Sequence, residues 1–188
     1  MIQTKKDLYF YLREDAKRNG ISSNPIIRVL KLVVGLDNYK VYNYLRVLRR
    51  CEYHFNNKSK RLISRFLFYY YKIRLFHLGS KYNLFIPINV TGYGLRIPHL
   101  MGGGVMLNAS KIGNYCGFNA GSFLGNKNGQ DNIPTIGDYT AFGPGAKAFG
   151  KLSIGSHVFV APNAVVTKDI PDNCIVGGIP GKILKYVD

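Results

Sequence analysis

The chain has 188 residues, 46% hydrophobic and 19% charged, with 21 glycines and a formal net charge of +16, which suits one domain, or one domain with a helical extension, and excludes a disordered chain. No stretch approaches the roughly 18 uncharged apolar residues of a transmembrane helix, and Met1-Ile2-Gln3-Thr4-Lys5-Lys6-Asp7 leads into no apolar signal-peptide core. The three cysteines, Cys51, Cys116 and Cys174, are odd in number and far apart, so they make neither a disulfide framework nor a zinc site and fit a reducing cytoplasm.

Residues 1–84 read as helices. Thr4 and Asp7 form an N-cap pair for a helix carrying Leu8, Leu12 and Ala16, ended by Asn19-Gly20. Asn24 caps a second helix with Pro25 at its first position and Ile26, Val29, Leu30 and Val33 along it. After a break at Gly35 to Asn38, a third helix from about Tyr39 to Phe55 puts Val41, Tyr44, Leu45 and Leu48 on one side. Ser59 starts a fourth, running to about Leu78-Gly79 with Gly79 just past its end. This segment holds 18 of the 26 basic residues and 5 of the 10 acids, interleaved with aromatics as in Arg65-Phe66-Leu67-Phe68-Tyr69-Tyr70-Tyr71-Lys72. Such a surface either meets an anionic membrane or polyanion or is a solvated face whose aromatics pack on a partner subunit.

From residue 85 the pattern changes. Every sixth residue is apolar or small: Ile88, Gly94, Leu100, Met106, Ile112, Phe118 and Leu124, then Ile136, Phe142, Ala148, Ile154, Val160 and Val166. The next position is often glycine, as at Gly113, Gly125, Gly137, Gly143 and Gly155, and small or β-branched residues recur four positions on. Six residues turn an α-helix by about 600°, so a helical stripe would wander. Short strands joined by corners, three to a triangular coil, explain the period, with the apolar residue pointing inward and stacking on its equivalents. Glycine serves corners where φ is positive or space is short. Between Leu124 and Ile136 the pattern lapses into polar Gly125-Asn126-Lys127-Asn128-Gly129-Gln130-Asp131-Asn132-Ile133-Pro134. This segment is either a loop projecting from the prism, the reading preferred here, or one poorly formed coil that keeps register.

Three stretches carry a resemblance. Ile86-Pro87-Ile88-Asn89 with Gly92-Tyr93-Gly94-Leu95-Arg96-Ile97-Pro98-His99 resembles the first-coil signature of the hexapeptide-repeat acyltransferases, which ends in their catalytic histidine. Ile136-Gly137 through Gly143-Pro144-Gly145-Ala146-Lys147 to Gly150 is similar to their middle coil. Pro162 to Pro171, with Gly177-Gly178-Ile179-Pro180-Gly181-Lys182, resembles their last coil and coenzyme A clamp. The chain as a whole is most similar to the branch holding serine acetyltransferases and polysaccharide O-acetyltransferases. The resemblance implies a mainly β fold with α, a left-handed parallel β-helix (85–174) preceded by a basic α-helical region (1–84) and followed by a tail with the clamp (175–188). It also implies a homotrimer with sites between prisms and acetyl-CoA as co-substrate; no nucleic acid is expected, because the sequence shows no nucleic-acid-binding motif.

His99 then becomes the general base. Moving acetyl from a thioester to a hydroxyl requires removal of the hydroxyl proton, which an imidazole does at neutral pH for a typical gain of ~10²–10⁴-fold. The resemblance further implies coenzyme A contacts at Pro144, Pro162, Thr167 and Gly178, with Lys168 and Lys182 facing phosphate. Asn89, Asn119, Asp131 and Asn132 are candidates toward the acceptor, the first two also for orienting His99. No metal is expected, because a histidine-bound metal on this scaffold needs three histidines and the repeat region has only His99 and His157.

Two departures bear on the acceptor. Serine acetyltransferases carry acids at the positions of Leu84 and Pro98, and an Arg-His pair where Asn132-Ile133 stands before Pro134. Their absence, with the basic helical half, leads to the expectation of an O-acetyltransferase acting on a saccharide hydroxyl, on a lipid-linked glycan of surface polysaccharide synthesis, cytoplasmic at the inner membrane face. Serine O-acetylation in cysteine biosynthesis is the alternative, and a non-catalytic basic scaffold a third.

Overall fold

A computed structural model describes residues 1–100, 102–129 and 131–187. Four helices come first: α1 (Lys5–Arg18), α2 (Pro25–Val33), α3 (Asp37–Asn57) and α4 (Leu62–Tyr82). Thr4 and Asp7 make a full capping box on α1: Asp7 N–H donates to Thr4 Oγ1 at 3.1 Å and Thr4 N–H to Asp7 Oδ2 at 2.8 Å, an arrangement worth about 1 kcal/mol. Asn24 Oδ1 accepts from the Ile26 and Ile27 amides of α2. The fourth helix departs from expectation at both ends. Its N-cap is Arg61 rather than Ser59, and it continues past Gly79 to Asn83, which takes the left-handed conformation at φ 54°. Gly79 is needed for proximity instead: a Cβ there would stand 2.7 Å from the Leu84 carbonyl oxygen.

Thirteen short strands among the described residues then wind into three sheets. The first sheet stacks β1 (Leu84–Phe85), β2 (Val105–Leu107), β5 (Phe123–Gly125), β8 (Lys147–Phe149) and β11 (Val165–Val166). The second has β3 (Lys111–Ile112), β6 (Thr135–Ile136) and β9 (Ser153–Ile154). The third has β4 (Gly117–Phe118), β7 (Ala141–Phe142), β10 (Phe159–Val160) and β12 (Cys174–Gly177), with β13 (Lys182–Tyr186) folded back antiparallel on β12. All other pairs are parallel. The chain visits the three sheets in turn, so it is a triangular coil with three edges. We number them first (from first sheet to second), second (from second to third) and third (from third to the next coil's first sheet).

From Ile112 onward the six-residue period holds: Ile112, Phe118, Leu124, Ile136, Phe142, Ala148, Ile154, Val160 and Val166 are all buried, each 0 or 1% exposed. Phe118 and Phe142 stack with ring centres 5.0 Å apart, and each buried aliphatic or aromatic side chain contributes about 1.5–3 kcal/mol. In the first coil the inward phase is three residues off the expected one, with Thr91 paired to Ile112 and Ile97 aligned with Phe118, and on entering the second it is still one residue off. Leu95, Val105 and Leu107 point inward while Met106 faces out. Segments 126–129 and 131–134 form the expected loop on the first edge, in register on both sides; Gln130 lies outside the described residues. On the second edge the glycines answer a shortage of space: a Cβ on Gly137 would lie 2.6 Å from Ser156 N. Positive φ falls two residues later, at Tyr115, Tyr139 and His157.

The helical half closes the open end of this solenoid. Val41, Tyr44, Leu45 and Leu48 of α3 belong to the same buried cluster as Ile86, Leu95 and Ile97 of the first coil, which gives the exposed end of a repeat stack the cap it requires. A buried ion network fixes the junction. Arg49 Nε donates to Asp15 Oδ2 at 2.9 Å and Nη1 to Glu52 Oε2 at 3.1 Å and Thr91 O at 3.0 Å. Asp15 Oδ1 accepts from Gly94 N at 2.8 Å, and Glu52 Oε1 from Asn89 N at 2.9 Å. Charges this deeply buried persist only when paired and hydrogen-bonded.

Candidate active site

His99 sits on the third edge of the first coil. Ile97 aligns with Phe118 and Leu107 with Leu124, yet Leu107 comes ten residues after Ile97 and Leu124 only six after Phe118. Four extra residues therefore bulge outward at this corner, and His99 is exposed on the bulge. Leu100 is thus part of the bulge and not a repeat position; Met101 lies outside the described residues. Gly102 and Gly103 adopt φ of 101° and 141°, conformations that glycine takes without strain and that leave no side chain beside the imidazole. Asp37, the first residue of α3, pins the bulge: its Oδ2 accepts from Leu100 N at 3.1 Å, while Lys40 Nζ pairs with its Oδ1 at 3.3 Å. The helix that plugs the prism therefore also fixes the backbone next to His99. Among the described residues no side chain hydrogen-bonds to the His99 ring.

Below His99 the third edge continues as a column of corners. Asn119-Ala120-Gly121, Pro144-Gly145, Pro162-Asn163 and the Gly178 to Gly181 turn follow one another down successive coils. Gly121 N donates to Gly104 O at 2.9 Å, Gly145 N to Ala120 O at 2.9 Å, Asn163 N to Pro144 O at 2.9 Å and Val165 N to Gly178 O at 3.0 Å. Four steps of about 4.8 Å put Gly178 roughly 19 Å from the His99 corner. Pro144, Pro162 and Gly178 are exposed on this edge. Asn119 also lies there, its Nδ2 donating to Phe142 O at 2.9 Å. Lys182 begins β13 directly after the Gly178 turn, paired with Gly177.

The remaining candidates are on the first edge, away from His99. Thr167 and Lys168 follow β11 there and are exposed. Asn89 is taken up by the junction with the helices, exchanging side-chain bonds with Asn56 at 2.9 and 3.0 Å. Asn132 staples the loop, its Nδ2 donating to Lys127 O and its Oδ1 accepting from Lys151 N; Asp131 is exposed beside it. His157 lies on the second edge, stacked on Tyr139 at 4.9 Å and 11°. Two residues beside the His99 edge escaped the sequence reading. Asp37 is one. Lys147 is the other: half-buried, its Nζ donates to Gly145 O at 2.9 Å. Its signal was present in Gly145-Ala146-Lys147, whereas nothing in the sequence links Asp37 to a loop more than sixty residues away.

A cavity of about 840 Å³ adjoins this edge. Phe76 and Leu75 of α4 wall one side, Phe85, Met106 and Phe123 of the first sheet the other, and Gly104 and Lys147 border it toward the corner column.

No protein-family model matches the chain. Among curated proteins, a serine acetyltransferase of Synechococcus elongatus is 36% identical over 95 residues, 50% of this chain and 38% of that protein. Serine acetyltransferase 4 of Arabidopsis thaliana is 33% identical over 105 residues, 54% of this chain and 29% of that protein. The chain thus spans well under half the length of the curated relatives it matches. Among solved structures, a serine acetyltransferase from Brucella abortus superposes with a TM-score of 0.70 at 24% identity, covering 97% of this chain and 70% of that one. The same enzyme in complex with coenzyme A gives a TM-score of 0.68 at 22% identity, covering 98% and 70%. These likenesses show the fold: N-terminal helices followed by a left-handed parallel β-helix. They also overturn the saccharide acceptor and the polysaccharide branch expected from the sequence, because the proteins matched are serine acetyltransferases. The basic charge that favoured a glycan belongs to the helices around the plug and not to the His99 edge, so it carries no information about the acceptor.

Proposed function

We propose that this chain is an acetyl-CoA-dependent O-acetyltransferase whose acceptor is the side-chain hydroxyl of serine. The observation that carries this is the third edge itself: an exposed imidazole at the head of a column of small, open corners about 19 Å long. Acetyl-CoA is a long thin substrate, and an extended pantetheine arm laid along Asn119, Pro144 and Pro162 brings its thioester to His99 and its phosphates toward Gly178 and Lys182. Lys147, beside the column, adds a cation on the same path. Lysine is a compact point charge suited to phosphate.

His99 takes the proton from the serine hydroxyl as that oxygen attacks the thioester carbon. The carbon–sulfur bond breaks, and the imidazolium returns the proton to the departing thiolate, so the products are O-acetylserine and free coenzyme A. Base catalysis supplies ~10²–10⁴-fold, and holding both reactants at one corner supplies much of the rest. Leu84 and Pro98 provide no carboxylate for the serine ammonium group. Asp37, bonded to the amide next to His99, brings one to this corner. We further propose a homotrimer with each site between two prisms, in which the first edge of a neighbouring copy brings Asp131, Thr167 and Lys168 toward the site. In this layout 85–174 is the transferase unit, 175–188 the clamp and 1–84 the plug, and the enzyme works in the cytoplasm.

The test is thiol release from acetyl-CoA with L-serine, with O-acetylserine identified by mass. Turnover should depend on serine and fall by about 10²–10⁴-fold in His99→Ala. Equal turnover by both proteins, or release no faster with serine than without, would remove the proposal.

A further inference from the structure

The helical half carries a surface that the transferase reading leaves unused. Helix α2 has no buried side chain at all. Ile26, Val29 and Leu30 lie open on it, with Val33 and Val34 79% and 76% exposed. On α4, Ile63, Phe66, Tyr70 and Arg74 recur at helical spacing on one face, and the first three are exposed apolar or aromatic groups. Soluble proteins rarely leave such contiguous apolar helix faces uncovered without a partner.

Between these two faces lies a cluster of arginines. Arg28 of α2 and Arg46 of α3 both stand over the Tyr42 ring, at 5.9 and 6.0 Å. Burial, and then the neighbouring charges of Arg50, Arg28 and Arg74, pull the Arg46 guanidinium below its ordinary value, so four cations from three helices crowd one place. None of the ion pairs among the described residues involves them; those pairs use Arg13, Lys40 and Arg49. A second copy docked symmetrically over this cluster would bring the same four cations against one another. An anionic bilayer offers what this surface lacks: headgroup phosphate for the guanidinium groups and acyl chains for the flanking apolar faces. No helix among the described residues is long and apolar enough to cross a membrane, so the helices would lie in the surface plane.

We propose that α2 and α4, with Arg28, Arg46, Arg50 and Arg74 between them, form a docking surface for an anionic lipid bilayer. The surface is separate from the His99 edge, and it stands whether or not the acceptor is serine.

The experiment is co-sedimentation of the full chain with phosphatidylcholine vesicles and with phosphatidylcholine–phosphatidylglycerol vesicles. Two double variants are run beside it, Val29→Asp/Val33→Asp and Arg28→Gln/Arg74→Gln. Circular dichroism checks folding and light scattering follows mass in solution. The parent should partition at least about tenfold more strongly onto the anionic vesicles, and each variant should lose about tenfold or more of that partitioning while keeping its fold and its mass. No binding by the parent, equal binding to both vesicles, or binding by the α2 variant equal to the parent's overturns the proposal. So does a fall in solution mass in the α2 variant with vesicle binding unchanged, which would make the face a contact between copies.

Discussion

At the scale of single residues, the site is a question of what holds an imidazole in place. Asp37 acts on the backbone beside His99, through the Leu100 amide, and a hydrogen bond to a charged acceptor is worth about 1.5–3 kcal/mol. Asp37→Ala should therefore lower kcat/KM about tenfold or more. Asp37→Asn keeps an acceptor oxygen and should restore most of kcat, leaving any remaining defect in the KM for serine. If Asn is as damaging to kcat as Ala, the charge and not the hydrogen bond is what matters. Lys147 makes a different prediction. Lys147→Met should raise the KM for acetyl-CoA several-fold with kcat little changed, the sign of lost uniform binding; an unchanged KM would take Lys147 off the substrate's path.

At the scale of elements, the junction between plug and prism should be the most sensitive point outside the site. Arg49 is fully buried between Asp15 and Glu52, and Arg49→Met strands two carboxylates away from water. The expected loss is about 3–5 kcal/mol, read as a large drop in the denaturant midpoint; a loss below about 1 kcal/mol would mean that the network is idle. The elements also show where sequence reasoning failed. The period from Ile112 to Val166 was legible because every coil must bury one apolar group at the same station. The first coil was misread because its irregularities leave it three residues out of step while apolar groups still fall at the expected positions. The first edge is one residue short there, with Thr91 paired to Ile112, and the third edge is four residues long, so Ile88, Leu100 and Met106 imitate the period while Leu95 and Leu107 fill the core. The bulge that displaces the phase is the one that presents His99. Gly79 misled for a related reason: close approach to Leu84 and a helix terminus both call for glycine.

At the scale of the whole molecule, helices and coil form one continuous core. All three cysteines are buried, and burial pushes the Cys51 and Cys116 thiols up to about 11 and raises Cys174 as well. Thiolate is the reactive form, so a disulfide reagent at neutral pH should find no fast-reacting protein thiol in the native chain and all three after denaturation. A fast native thiol would mean that the coil opens locally. The triangular coil was legible from the repeat, while its hand and the choice of His99 came with the family resemblance. The division of the candidate residues between edges was not: Thr167 is one residue past Val166 and Pro162 two past Val160, yet the two corners face different ways, and only the sheet order says so. The acceptor was illegible because Leu84 and Pro98 say which acidic groups are missing and leave unsaid which hydroxyl is bound.

If the third edge is the acetyl-CoA track, a crystal structure of the full chain with coenzyme A will show it. The thiol should lie beside His99, the pantetheine should run past Asn119, Pro144 and Pro162, and the phosphates should reach the Gly178 turn of the same copy. Coenzyme A lodged in the α4 cavity, or along the second edge beside Tyr139 and His157, would contradict it.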